Sequence, residues 1–401
     1  MRPETIYTRN KPAILLIALV LFSPMGIDIY LPSLPLMAQD FHINTVEIRD
    51  TITWFIISLG LGQLIVGPIA DRYGRRPVAM SGIALYILGA LLAYYAQHIN
   101  TMLIARLIQG IGACATSVVA FSSARDCYGP QQCGRVISYL NGAICFIPAL
   151  APILGAWLTT QFGWRMNFQF MAAYGFITLI LISILFKETR PANTITIQST
   201  FSVSHYQGIL KNPAFLFHAI LCMLAMSVII AYVTTSPVWL MVHLKQSPKQ
   251  FTFWFSINAS LNIIACILAP RFMDHWGGRT TLKSGLIFLT LGGILMLIMN
   301  NIKHPFAYML PIFISSFGFA FVLATAAGAA LAPFGDRAGT AAALLGVFQM
   351  TGSGILVSLV QRLNMEAPEM MALHMWLLIP GLIIAWTGAD LRWQKTSQLR
   401  Q

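Results

Sequence analysis

The chain has 401 residues, of which 57% are hydrophobic and only 9% are charged, and its mean hydropathy is +0.71. Soluble domains carry about 25% charged residues. This composition therefore excludes a soluble enzyme with a few buried helices and predicts that most of the chain lies in a lipid bilayer. The net charge of +12 comes from Lys and Arg residues in short gaps between apolar runs, a distribution that argues against a nucleic-acid partner.

The first apolar run follows the basic residues Arg2, Arg9 and Lys11 and continues past Asp28. It contains no small-residue cleavage pattern, so we interpret it as a retained membrane span rather than a signal peptide. The six cysteines show no CxxC spacing, and the eight histidines include no pair at helical spacing. We therefore expect no disulfide, no metal site and no cofactor.

Twelve segments are long and apolar enough to cross a bilayer, which requires about 20 residues each. Because backbone groups in lipid must be satisfied within the segment, we expect helices. The predicted limits are 12–36, 48–69, 78–97, 101–124, 136–160, 167–186, 213–241, 251–270, 281–299, 305–331, 338–361 and 371–390. The long polar gap predicts three parts, namely a six-helix half at 1–186, a linker at 187–212 and a second half at 213–401.

The basic residues predict the orientation of these helices. The termini, the linker and alternate loops on one side hold 18 of the 25 Lys and Arg residues, the other side holds 6, and Arg106 lies within a span. Because basic residues accumulate in cytoplasmic loops, we expect both termini and the linker to lie in the cytoplasm.

The two halves resemble each other in sequence. The loop after the second span reads GPIADRYGRR (67–76), and the loop after the eighth reads PRFMDHWGGR (270–279). The Asp, Gly and Arg residues of these loops align at a constant offset of 203 positions. A repeat of two six-helix halves is typical of a transporter whose halves move about a site near the midplane, and neither a channel nor a membrane enzyme requires it.

Motifs in the first half resemble those of the major facilitator superfamily. The segment 67–76 is similar to the signature loop between its second and third helices. The segment RLIQGIG (106–112) is similar to the helix-four motif of its drug/proton antiporters, and APILG (151–155), with Pro148, Pro152 and Gly155, to their helix-five motif. Ala151 and Ala156 replace glycines that the fullest form of that motif carries.

The segment DIYLPSLP (28–35), together with Arg125 and Asp126, narrows the resemblance to the Bcr/CflA branch of the drug/proton antiporters. The stretch from Leu140 to Pro152 resembles its MdtL-type members. This resemblance implies a monomer of the bacterial inner membrane that exports small lipophilic or cationic drugs, such as chloramphenicol, in exchange for protons. The sequence has no GxxxxGK[ST] loop, so we do not expect ATP to be the direct energy source.

Asp28 is the only acidic residue that is predicted to lie well inside a span. A charge in that position is costly, so we expect Asp28 to face a cavity or a partner. Arg106 is predicted at a similar depth on the fourth helix and is the expected partner. Apolar surroundings favour the neutral carboxyl and a guanidinium favours the charged one, so the pair could bind and release protons. The alternative is a static ion pair that fixes helix packing.

Seven polar or aromatic residues are candidates for substrate contact, because a drug cavity needs an apolar wall with a few hydrogen-bonding groups. They are Tyr30, Asn141, Phe146, Tyr232, Trp239, Asn258 and Asn262. Interhelical packing is the alternative role for each of them. The second half has no ionisable residue deep in a span except His218, so we expect proton coupling in the first half.

A cluster of charged residues on the predicted cytoplasmic side is a candidate gate. It contains Asp71, Arg72, Arg75, Arg76 and Asp126, and we expect Arg75 to lie between the two carboxylates and hold the ends of helices two, three and four together. The resemblance implies that this gate stabilises the outward-facing state, and a simple topological anchor is the alternative. In the fifth helix, Pro148, Pro152 and Gly155 are expected to allow a bend and close packing.

Three further functional readings are open at this point. One is an importer or exporter of a metabolite, such as a sugar or amino acid, on the same fold. Another is a membrane-embedded enzyme, which would need a nucleophile–base pair or metal ligands converging within the spans. The last is a receptor that does not transport, for which a large soluble signalling domain would be expected.

Overall fold

The computed structural model describes residues 11–128, 130–191, 203–363 and 365–388. These residues contain twelve helices that are long and apolar enough to cross a membrane, which we name α1 to α12. They are, in order, Ala13–Asp40, Thr45–Tyr73, Arg75–Tyr94, Ile99–Cys127, Gln132–Phe162, Arg165–Leu185, Pro213–His243, Pro248–Trp276, Gly278–Ile298, Pro305–Phe334, Gly339–Gln361 and Ala367–Thr387. The predicted all-α membrane protein with twelve transmembrane helices is confirmed.

Helix α1 is interrupted near the middle of its length. Two helical segments, Lys11–Val20 and Phe22–Asp28, are followed by a 3₁₀ turn at Leu31–Ser33 and a last segment, Leu34–Asp40. Pro32 and Pro35 lack the amide proton that a continuous helix requires. The interruption leaves Asp28 at the end of a helical segment.

The helices of the two halves meet along three lines. Helix α2 packs against α11, where Thr351 donates to the carbonyl of Ile57 at 3.0 Å, and α5 packs against α8, where Ser256 donates to the carbonyl of Ala149 at 2.8 Å. The outer part of α1 packs against α7. We call the side on which α6 ends and α7 begins the linker side, and the other the opposite side.

The internal repeat is visible in the backbone. Gly74 ends α2 with φ 105° and ψ 160°, and Gly277 ends α8 with φ 79° and ψ 154°. Because residues with a side chain rarely adopt positive φ, the aligned glycines of the two loops share a structural requirement.

A short helix, Val203–Leu210, lies in the linker. Residues 1–10, 192–202 and 389–401 lie outside the described residues, and these include both termini and the predicted end of the last span at 390. The domain limits at 186 and 213 and the orientation of the termini therefore remain predictions.

Candidate functional site

Asp28 lies close to the middle of α1. It is 4% exposed and is the only acidic residue in the buried core of the described part of the chain. Its carboxyl makes no hydrogen bond and no ion pair with the described residues, but it lies within electrostatic range of the hydroxyls of Tyr30 and Tyr232. Tyr232 belongs to α7, and the 3₁₀ turn that follows Asp28 packs against α7. Asp28 is therefore located next to the contact between the two halves.

Arg106 of α4 is completely buried, as predicted, but its partners are neutral oxygen atoms. The guanidinium donates to the carbonyl of Gly26 at 2.5 Å, to the carbonyl of Thr51 at 3.2 Å and to the side chain of Gln109. The predicted ion pair with Asp28 is therefore wrong for this conformation. The guanidinium instead binds the backbone carbonyl of Gly26, which lies two residues before Asp28 on α1.

Tyr30 is completely buried inside the first half. Its hydroxyl lies 3.1 Å from Oγ1 of Thr51, and the guanidinium of Arg106 lies 4.8 Å from its ring centroid. The ring of Phe168 packs on its other side at 5.3 Å. In this conformation Tyr30 connects α1, α2 and α4, and its predicted contact with substrate would require these helices to move.

Three of the predicted substrate contacts, Tyr232, Trp239 and Asn258, lie on α7 and α8 of the second half. Tyr232 is 2% exposed and stacks on Phe255 at 5.3 Å, and its hydroxyl lies beside the side chains of Asn258 and Ser236 without a well-aligned hydrogen bond. Asn258 is 4% exposed and accepts a hydrogen bond from Ser316 at 2.8 Å. Trp239 is half-buried in a π-helical turn that ends α7.

Helix α5 carries its candidates on different faces. Asn141 and Phe146 are exposed, whereas Gly155 is buried against α1, and a Cβ atom in that position would overlap the carbonyl oxygen of Ile29. This glycine therefore allows α5 to approach the backbone next to Asp28.

Helix α5 continues through Pro148 and Pro152 without an interruption. On α8, Asn262 is half-buried and lies 3.4 Å from the sulfur of Cys266, which is near Cys145 of α5.

The charged cluster on the linker side has the predicted geometry. The guanidinium of Arg75 lies 2.5 Å from Asp71 and 2.9 Å from Asp126, and the Arg75 side chain is only 7% exposed. It therefore joins the ends of α2, α3 and α4. Arg72 lies instead over the ring of Tyr73 at 5.3 Å and belongs to the exposed rim of this cluster. A gating role for the cluster stays a prediction.

Glu188, which follows α6, is a member of this cluster that the sequence analysis missed. Its carboxylate accepts hydrogen bonds from the backbone amides of Arg75 at 2.8 Å, Arg76 at 3.1 Å, Thr189 at 3.0 Å and Arg190 at 2.9 Å. Burial opposes its ionisation, but these four N–H donors outweigh burial and hold the pKa of Glu188 below its ordinary value. The first amides of a helix have no partner within it, so Glu188 caps α3 and ties the linker to it.

Two further residues, which the sequence analysis did not single out, lie between the halves on the opposite side. Asp50 lies 3.9 Å from Arg362 at the end of α11. Arg49 is only 9% exposed and lies within electrostatic range of Tyr308 of α10. The one sequence signal for these residues is that Arg49 and Asp50, two adjacent charged residues, lie just inside the start of the predicted second span.

Comparisons with known proteins agree with this architecture. A sequence profile described as Major Facilitator Superfamily matches residues 16–357. The multidrug resistance protein MdtL of Citrobacter koseri is 33% identical over 355 residues, which cover 88% of this chain and 89% of that protein. MdtL of Escherichia coli O127:H6 is 31% identical over 368 residues, which cover 92% and 90%. The resemblance to MdtL-type proteins is thereby confirmed.

Solved structures share the fold. The xylose transporter XylE from E. coli, in a partially occluded inward open conformation, superimposes with a TM-score of 0.71 at 14% identity and covers 94% of this chain and 98% of that one. A D-xylose-proton symporter gives a TM-score of 0.73 at 15% identity, with 93% and 97% covered. At such identities the likeness establishes the fold and not the substrate.

Proposed function

Because the chain belongs to the major facilitator superfamily, we propose that it is a multidrug exporter of a bacterial inner membrane, driven by protons that bind Asp28. The chain is a multi-pass membrane transporter and not an enzyme. Its similarity to proteins named for multidrug resistance, along nine-tenths of its length, supports small lipophilic or cationic drugs as substrates. Chloramphenicol is the first compound to test, and a monomer with cytoplasmic termini and linker is part of the proposal.

The observation that carries the proposal is the burial of Asp28 without an ion pair at the meeting point of the halves. An isolated carboxylate in such a place is costly, and binding a proton or a cationic drug removes that cost. Asp28 also ends a helical segment, where the backbone dipole disfavours a negative charge. A carboxyl of this kind can hold a proton on one side of the membrane and exchange it for a drug on the other.

Arg106 contributes to this exchange as a fixed positive charge. It is held by the carbonyls of Gly26 and Thr51 and by Gln109, so its position is coupled to the backbone of α1. When α1 moves, the separation of the guanidinium from Asp28 changes, and a shorter separation favours the ionised carboxyl. Release of the proton would then follow from the conformational change.

The contacts between the halves suit alternating access. Asp50–Arg362 and the burial of Arg49 near Tyr308 close the opposite side, which we assign to the periplasm. The cluster around Arg75 lies within the first half on the linker side. We propose that it stabilises the outward-facing state and that this structure is closed to the periplasm.

Purified protein in liposomes with an imposed pH gradient tests the proposal. Uptake or release of chloramphenicol and of a lipophilic cation such as ethidium is measured for the native protein and for Asp28→Asn. We expect gradient-driven transport for the native protein and its loss in the variant. The matched control is Asp40→Asn, which removes an acid that is paired with Arg165 at the end of the same helix.

Gradient-driven drug transport that survives in Asp28→Asn would reject Asp28 as the proton carrier. Transport of a sugar or an amino acid, with no drug transported, would instead favour the metabolite alternative. The two failures are distinguishable because the second leaves the dependence on the pH gradient intact.

A further inference from the structure

Arg49 is a buried cation whose positive charge has no role in the mechanism proposed above. It lies in the second turn of α2, on the opposite side, and is 9% exposed. The neighbouring acid, Asp50, lies 3.9 Å from Arg362 instead, and Arg49 forms no ion pair with any residue that the structure describes. Its Nε atom is buried without a hydrogen-bond partner. Burial of an unpaired charge destabilises a protein, so we expect the positive charge of Arg49 to have a function.

The surroundings of Arg49 are polar but neutral. Thr53 lies one turn further along the same face of α2, and its hydroxyl is completely buried without a partner in the described part of the chain. Tyr308 of α10 lies within electrostatic range of Arg49, and its hydroxyl lies 3.1 Å from Oγ1 of Thr235 of α7. Hydroxyl groups from both halves therefore lie in the neighbourhood of the buried guanidinium.

These hydroxyl groups continue towards the centre of the membrane. The buried hydroxyls of Tyr232 and Ser236, one turn apart on α7, lie beside each other, and neither has a well-aligned hydrogen-bond partner among the described residues. Tyr232 lies within electrostatic range of both Tyr308 and Asp28. Polar groups of α7 are thus spaced between the neighbourhood of Arg49 and that of the buried acid.

A path of unpartnered polar groups in a protein interior is a place for water molecules, because they supply the missing hydrogen bonds. Water in such a path can conduct protons. If protons reached Asp28 from the periplasm while the linker side was open, they would cross without a drug and dissipate the gradient. A closed opposite side must therefore exclude protons as well as drugs.

We propose that Arg49 is an electrostatic barrier that prevents protons from reaching Asp28 from the opposite side while that side is closed. A guanidinium remains ionised even when it is buried, and a fixed positive charge in a narrow polar path repels a second cation. Membrane channels that exclude protons use arginine in this way. This inference rests on the proposed role of Asp28 as the proton carrier.

The test measures proton leak in the absence of drug. Native protein and variants are placed in liposomes with an imposed pH gradient, and an entrapped pH-sensitive dye reports proton entry. We expect Arg49→Gln to raise the leak on the order of tenfold and Arg49→Lys to keep it near the native rate. Adding Asp28→Asn to Arg49→Gln should abolish the extra leak. Arg165→Gln removes a more exposed arginine on the same, opposite side and serves as the control.

Native leak in Arg49→Gln, in protein that elutes as the native protein does and binds drug, would overturn the inference. So would an equal leak in Arg49→Lys, because the charge would then not be the cause. A leak that persists in the double variant would show that protons bypass Asp28. The proposed function would fail on a different measurement. If Asp28 is not the proton carrier, the single variant Asp28→Asn transports drug as the native protein does.

Discussion

Arg76 and Arg279, which occupy aligned positions in the two halves, each donate a hydrogen bond to a backbone carbonyl near the end of the last helix of its half. Arg76 donates to Ser183 at 2.5 Å, and Arg279 donates to Ala385 at 2.9 Å. The repeat that is visible in the sequence therefore extends to individual contacts. Glu188 adds contacts only to the first half, so control of the linker side is expected to be asymmetric.

The first prediction concerns the charge cluster around Arg75. Arg75→Ala leaves Asp71 and Asp126 without their partner, and we expect a loss of about 1–2 kcal/mol in the free energy of unfolding. This is less than the 3–5 kcal/mol of a fully buried pair, because Asp71 is 46% exposed. Thermal denaturation in detergent measures the loss.

The two carboxylates that pair with Arg75 can be compared with each other. Asp126, at 13% exposure, is more enclosed than Asp71, so Asp126→Asn should destabilise the protein more than Asp71→Asn does. In liposomes, Arg75→Ala should also change the labelling of single cysteines at the linker-side mouth by a membrane-impermeant maleimide. Unchanged labelling would contradict the proposed gating role.

The second prediction concerns pH and Glu188. Its pKa is lower in the folded protein than the ordinary value of 4.5, so its contribution to stability is complete above that value and is lost as the pH falls through the lowered pKa. Thermal denaturation between pH 7 and pH 3, which brackets this window, should therefore show a smaller pH dependence for Glu188→Gln than for the native protein. Since Glu188 is exposed, we expect an effect of at most about 1 kcal/mol. Identical pH profiles would count against the capping role.

The third prediction concerns Gly155, where α5 approaches α1. A methyl group there would overlap the carbonyl oxygen of Ile29, so Gly155→Ala should separate the helices, cost about 1–3 kcal/mol and impair transport. Gly142→Ala is the matched control on the same helix, because no atom lies within 4 Å of the Cβ that it would add. Equal melting temperatures and transport rates for the two variants would contradict this account.

The sequence was sufficient to predict the helices, the repeat and the burial of Asp28 and Arg106, because each depends on the cost of placing charge or backbone in lipid. It also predicted the pairing around Arg75, where opposite charges leave few alternatives. The partner of Arg106 could not be predicted, because backbone carbonyls such as that of Gly26 have no sequence signature. Glu188 was missed for the same reason, since its partners are four backbone amides.

The last prediction concerns the interface between α5 and α8, where Cys145 and Cys266 lie near each other across the two halves. A thiol-specific divalent reagent such as Hg²⁺, which binds two thiolates and releases two protons, should join them. Because the halves move relative to each other in alternating access, the joined protein should lose transport. Cleavage at a protease site inserted in the linker, followed by gel electrophoresis, should show the halves held together.

Cys145→Ser and Cys266→Ser should each abolish both effects, whereas Cys127→Ser, which removes an exposed thiol, should preserve them. Inhibition that persists in either single variant would mean that the contact is not the site of reaction.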